Sequence, residues 1–184
     1  MGKSKILSII SVVAMIVISF SFMACGSGNK AQSLAIRYDD ESFYLGDKKN
    51  EIDKILGSPT SNESYNNIIR YCYIGYTNGA YVDYDNEEKC KRIEVMSEQI
   101  SVNGIKIGDN RCDDKVREMF PKNEHIYKQI YEGTQGYYNI YMKNNQNVDK
   151  DTYDKYKDDN TDIYYWIMIA HSSDRKVTRI IIGK

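Results

Sequence analysis

No sign of charge dominates this sequence: 25 Lys and Arg stand against 26 Asp and Glu in 184 residues, a formal net charge of −1. A general nucleic-acid binder carries a basic excess, so that class is excluded. Histidine is scarce, with only His125 and His171. Neither His-x-x-His nor Cys-x-x-Cys occurs, which argues against a zinc site. Gly-x-Ser-x-Gly is missing as well. Cys112 and His125 could formally make a nucleophilic pair, but no third member or oxyanion hole is evident. Asp149, Asp151, Asp154, Asp158 and Asp159 lack the Gly and closing Glu of a calcium loop, which favours a solvated tract. The expectation is therefore a non-enzyme with no catalytic residue, no metal and no cofactor.

What is abundant is unevenly placed. Residues Ile6 to Ala24 form an uncharged run of 19 after Lys3 and Lys5. The run ends Phe22-Met23-Ala24-Cys25-Gly26-Ser27-Gly28. A small residue before a cysteine, followed by a small flexible tract, resembles the lipobox of bacterial lipoproteins. The resemblance implies a signal peptide over 1–24 and lipidation of Cys25, with palmitate-type chains anchoring the protein on the extracytoplasmic side of the cell membrane. An uncleaved signal anchor is the alternative. Cleavage would remove two of the basic residues and none of the acidic ones, leaving a net charge of −3. Charge alone would not hold such a chain to anionic lipid, so the acyl chains must anchor it. Residues 25–37 read as the lipidated cysteine and a polar tether.

Beyond the tether the chain reads as one unit used twice, over 38–99 and 100–184. Leu45-Gly46-Asp47 and Ile107-Gly108-Asp109 each close a short apolar stretch. Asp is expected to cap the helix that follows. Ile52, Ile55 and Leu56 make one apolar helical stripe, and Val116, Met119 and Phe120 make the other. Gly57-Ser58-Pro59 and Pro121 stop them. Downstream, Val82 to Val95 and Ile169 to Ile182 each read as strand, turn, strand. Lys89, Arg92 and Ile93 recur as Lys176, Arg179 and Ile180. A further strand precedes each hairpin, over 69–77 and 136–143, and Asn78-Gly79 is a strong two-residue turn signal. The surplus in the second unit, near 144–162, has loop composition. The predicted fold class is α+β: two tandem repeats, each an N-terminal helical segment packed on a three- to four-stranded antiparallel sheet.

A Gly-Asp turn, an amphipathic helix and an antiparallel meander resemble the β-lactamase-inhibitor-like fold, which includes BamE/SmpA-type lipoproteins. The resemblance covers about 145 residues. It implies a protein-binding role with no catalytic residues.

A turn at Asn78-Gly79 would pair Tyr76 with Tyr81, Ile74 with Asp83 and Tyr73 with Tyr84. Val82, Tyr84, Ile93 and Val95 would then cover the first helix, and Ile167, Ile169, Ile180 and Ile182 the second. The opposite face would carry Tyr76, Tyr81, Tyr164, Trp166 and Met168, with Asp83, Arg92, Arg179 and Ile181. Trp, Tyr, Met and Arg favour protein interfaces. Those five aromatic and Met side chains are the expected contacts for an envelope or secreted protein. Packing of this face between the two units or under the long loop is the bland alternative. Sugar binding by the tyrosines, in a cell-wall-binding or ligand-sensing module, is the alternative function. In the same register Cys72 and Cys90 lie two strands apart, about 9–10 Å, too far for a disulfide.

Overall fold

A computed structural model describes residues 34–65, 68–75, 77–120, 125–130, 135–158 and 163–184. Cys25, the lipobox and Tyr76 lie outside these residues. The described chain is mostly strand. A small sheet has the order β2-β1-β7-β8, from β1 (Ile36–Tyr38), β2 (Glu41–Phe43), β7 (Ile100–Val102) and β8 (Ile105–Lys106). The large sheet has nine strands. They are β3 (Ser61–Tyr65), β4 (Ile68–Tyr73), β5 (Ala80–Tyr84), β6 (Cys90–Val95), β9 (Ile126–Ile130), β10 (Gly136–Lys143), β11 (Gln146–Val148), β12 (Tyr164–His171) and β13 (Val177–Gly183). Their order is β11-β10-β12-β13-β6-β5-β4-β3, with β9 beside β11 on the same edge of β10. All pairs in both sheets are antiparallel.

Two tandem repeats, each with a helix on its own sheet, are therefore not what forms. Strands expected in separate sheets join edge to edge at β6 and β13, where Ile93 pairs with Ile182 and Val95 with Ile180. The reason is physical. Each hairpin ends in a strand with one free edge and a row of branched apolar side chains. Pairing the two edges satisfies both backbones and joins the two apolar rows. Ile93, Val95, Ile180 and Ile182 are all fully buried, in one apolar cluster that also takes in Ile36, Phe43 and Val102 of the small sheet.

The helices are α1 (Lys49–Leu56), α2 (Cys112–Met119) and α3 (Lys150–Tyr156). The apolar stripes place the first two correctly: Ile52 and Leu56 are buried on α1, and Val116 and Phe120 on or just past α2. Asp47 and Asp109 do not cap them. The Asp47 carboxylate accepts from the Tyr44 N–H at 2.8 Å, and that of Asp109 from the Lys106 N–H at 2.9 Å. Each aspartate closes the turn behind it. The helix that follows is tied to the adjacent hairpin by backbone bonds: Lys49 N to Glu88 O, and Cys112 N to Arg175 O, both at 2.9 Å.

Helix α3 and strand β11 form inside the tract expected to be a loop. Asp149 caps α3, accepting from the Thr152 N–H at 2.8 Å and its hydroxyl at 2.7 Å. Tyr153 is the buried anchor of this helix. An Asp three residues before a Thr is a cap signal that composition alone hides.

The β4–β5 register also differs from expectation. Tyr73 pairs with Ala80 and Ile69 with Tyr84, four residues from the predicted alignment. The chain reverses through the left-handed residues Ile74 (φ 68°) and Gly75 (φ 137°), and neither Asn78 nor Gly79 has a positive φ.

Candidate binding face

One face of the large sheet packs inward. The other is built from the alternate residues of each strand. Cross-strand pairing sets these in two rows. The first runs Tyr141–Trp166–Gly183–Arg92–Asp83–Arg70 across β10, β12, β13, β6, β5 and β4. The second runs Asn139–Met168–Ile181–Glu94–Tyr81–Cys72. The half toward β3 is ionic. The half toward β10 is aromatic and apolar.

The ionic half centres on Asp83, which is 3% exposed. Arg70 donates from Nε to its Oδ1 at 2.7 Å and from Nη2 to its Oδ2 at 2.9 Å. Arg92 Nη1 and the Tyr65 hydroxyl donate to Oδ2 at 3.1 and 3.0 Å. Arg92 Nη2 also donates to Glu94 at 2.7 Å, and Arg179 lies 3.4 Å from the other Glu94 oxygen. Burial alone raises the Asp83 carboxyl pKa. The hydrogen bond and charge of Arg70, with Tyr65 and Arg92, outweigh that and hold it below the ordinary carboxylate range. This carboxylate is fully partnered, which makes it a structural tie across four strands, β3 to β6.

The apolar half is partly roofed. Tyr153 of α3 packs on Tyr141, ring centroids 5.0 Å apart, and on Tyr164 at 6.4 Å. Tyr164, expected as a contact residue, is 2% exposed and serves instead as the seat of α3. Trp166 and Met168 stay half-buried beyond the helix, and Tyr81 is half-buried in the ionic half. Trp166 lies across Gly183: a Cβ there would sit 2.8–2.9 Å from the indole Cε2, Cζ2 and Nε1 atoms. The absence of a side chain at Gly183 is what lets the ring rest on the neighbouring strand. Tyr141 and Tyr153 were not singled out from sequence. The spacing signal available was Tyr141, on the outward alternation of β10.

Other chemistry is dispersed. His125 is exposed and exchanges backbone hydrogen bonds with the Asn147 amide. His171 is buried, its Nδ1 3.0 Å from Ser172 O and its Nε2 without a partner. Among the described residues no group of three His, Cys, Asp or Glu side chains is arranged to hold a metal. Cys72, Cys90 and Cys112 are free and buried. Burial raises the Cys90 thiol, and burial with the Asp113 charge pushes Cys112 up to about 12. The thiolate is the nucleophile. The folded protein is therefore expected to resist iodoacetamide at all three positions, and the denatured protein to take up three groups there. Mass spectrometry before and after denaturation checks this, and native labelling of any one would contradict the burial.

No protein-family model matches the chain, and no curated protein matches it. Solved structures similar to it include an extracellular protein containing an SCP domain from Bacillus anthracis str. Ames. Identity is 12%, the match covers 87% of this chain and 50% of that one, and the TM-score is 0.49. Another is a cysteine-rich secretory protein from Staphylococcus aureus subsp. aureus Mu50, at 12% identity, 76% and 44% coverage and TM-score 0.46. The chain spans about half the length of these proteins. Neither is described as inhibitor-like or BamE-like. Likeness at this level identifies neither a family nor an activity.

Proposed function

We propose that the protein is an extracytoplasmic, lipid-anchored binding module without catalytic function. It engages another envelope or secreted protein through the outward face of its large sheet. The carrying observation is the half-exposed pair Trp166 and Met168, two residues apart on β12, bordered by Arg179 and by the closed ionic network. A tryptophan and a methionine left partly accessible side by side on the outward face of a sheet are typical of the centre of a protein interface. Tyr81 extends the face and Tyr164 supports it from below. The anchor rests on the Ala24-Cys25-Gly26 sequence.

Two arms test this. Cys25→Ala is expected to abolish incorporation of labelled palmitate and to leave the precursor uncleaved, with residues 1–24 still attached. Full-length protein, cross-linked in its own envelope, is expected to capture a protein that Met168→Ala with Trp166→Ala loses, while circular dichroism of the variant stays unchanged. Equal capture by the variant would make this face structural.

A further inference from the structure

Beside Trp166, at the end of the sheet away from Met168, lies an open pocket of about 520 Å³ lined by Lys91, Tyr153, Lys157, Asp158, Trp166 and Lys184. Its size falls within the roughly 300–1,000 Å³ of small-molecule sites. We propose that this pocket binds an anionic sugar, one saccharide unit carrying a carboxylate or phosphate. This goes beyond the protein-binding reading and does not depend on it.

The walls come from three parts of the chain. The indole of Trp166 is held over Gly183, as described above, and forms one flat wall. Tyr153 is fixed by its contacts with Tyr141 and Tyr164 and brings a second ring from α3. Lys91 comes from the irregularity in β6, where the pairing shifts between Asp83–Arg92 and Tyr84–Cys90 and leaves Lys91 as the extra residue. The Lys184 N–H donates to the Lys91 carbonyl at 2.9 Å and joins that wall to the end of β13.

The lining chemistry selects the ligand. An indole face suits the C–H side of a pyranose ring, a flat apolar surface with polar edges. Among the described lining residues, Lys91, Lys157 and Lys184 bring three ammonium groups and Asp158 the one side-chain carboxylate. Lys91 lies 3.2 Å from Asp85, and Lys157 lies 3.7 Å from Asp154. Lys184 has no acidic partner among the described residues, which leaves it as the cation for a ligand anion. Charge-assisted hydrogen bonds to such an anion are stronger than neutral ones. Asp158 supplies an acceptor for a sugar hydroxyl. A neutral sugar would leave the lysines unused, and a bare anion would leave the indole unused.

Trp166 is the only tryptophan in the chain, so its fluorescence reports on the indole wall of this pocket. The full-length protein in detergent would be titrated with glucuronate, N-acetylmuramate and glucose 6-phosphate. N-acetylglucosamine, glucose, inorganic phosphate and acetate serve as controls. The expected result is a saturable change with at least one acidic sugar, at least about tenfold weaker with its neutral relative, and none with the simple anions. Lys184→Ala is expected to weaken binding about tenfold, with folding checked by circular dichroism. Gly183→Ala is expected to shift the free-state emission and abolish the response. No saturable change with any acidic sugar overturns the proposal. So does an equal response to neutral sugars or to simple anions, or an unchanged affinity in Lys184→Ala. A protein that fails here yet still captures its partner through Met168 would lose this site and keep the proposed function. The reverse outcome would keep the site alone.

Discussion

Replacing Asp83 by Ala is expected to lower the unfolding free energy by about 3 kcal/mol, the low end for breaking a buried ion pair. The substitution strands three donors at once. Arg70 loses two hydrogen bonds, and Arg92 and Tyr65 lose one each. Both arginines keep about a quarter of their side-chain surface in water, 24% and 26%, which limits the loss. The sign of the pH dependence follows from the direction of the carboxyl shift. The folded-state pKa of Asp83 is lowered. Its contribution is therefore complete above the unfolded value of about 3.9 and is lost as the pH falls through the folded value. Urea denaturation at a series of acidic pH values is expected to show a steep loss of stability below about pH 4. Asp83→Asn removes this titration and is expected to show a shallower fall there. Identical slopes in the two proteins would mean that the carboxylate is not held ionised by its arginines.

Gly79→Ala is expected to cost about 3 kcal/mol, the upper end for forcing atoms into a filled site. A Cβ at Gly79 would lie 2.1 Å from both the Tyr73 and Gly75 carbonyl oxygens. Both are backbone atoms, so a rotamer change cannot relieve the contact. The strand ladder holds Tyr73 opposite Ala80, and Gly79 O accepts from Met96 N at 2.9 Å, so the hairpin has little freedom to withdraw. Asn78→Ala is the control. A two-residue turn of the hairpin type would need positive φ at both Asn78 and Gly79. The structure has it at neither, and Asn78 is exposed, so its substitution is expected to stay within about 0.5 kcal/mol. Thermal or urea unfolding of the two variants decides the matter. A costly Asn78→Ala with a tolerated Gly79→Ala would mean that the chain turns at the dipeptide after all.

That hairpin shows how far local pattern reaches. The alternation of Val82, Tyr84, Ile93 and Val95 places them on the buried face, and they are buried. The same alternation is blind to a register error of four residues, because an even shift leaves every side chain on its own face. The misplaced turn therefore left the buried set intact while misplacing each partner. The binding face was legible in the same partial way. Trp166 and Met168 stand on the outward alternation of β12, but so does Tyr164, and only the presence of α3 above it separates a covered ring from accessible ones. The ionic tie at Asp83 was visible as two residues, Asp83 and Arg92, on one face. Its main partner, Arg70, depends on the corrected register.

By itself, the sequence determined the short-range features. These are the two apolar helix stripes, the inward rows of β5, β6, β12 and β13, and the balanced charge. The stripes and rows depend on periodicities within ten or so residues, and the charge balance on composition alone. Only the tertiary structure decided the rest. It joined β6 to β13 into one nine-stranded sheet, folded a polar tract into α3 over the sheet, and laid Trp166 across Gly183. Strand edges meet through backbone groups that nearly every residue carries alike, so residue identity does not announce which edges will pair. A glycine's value as a resting place for a ring appears only once the neighbouring strand is known.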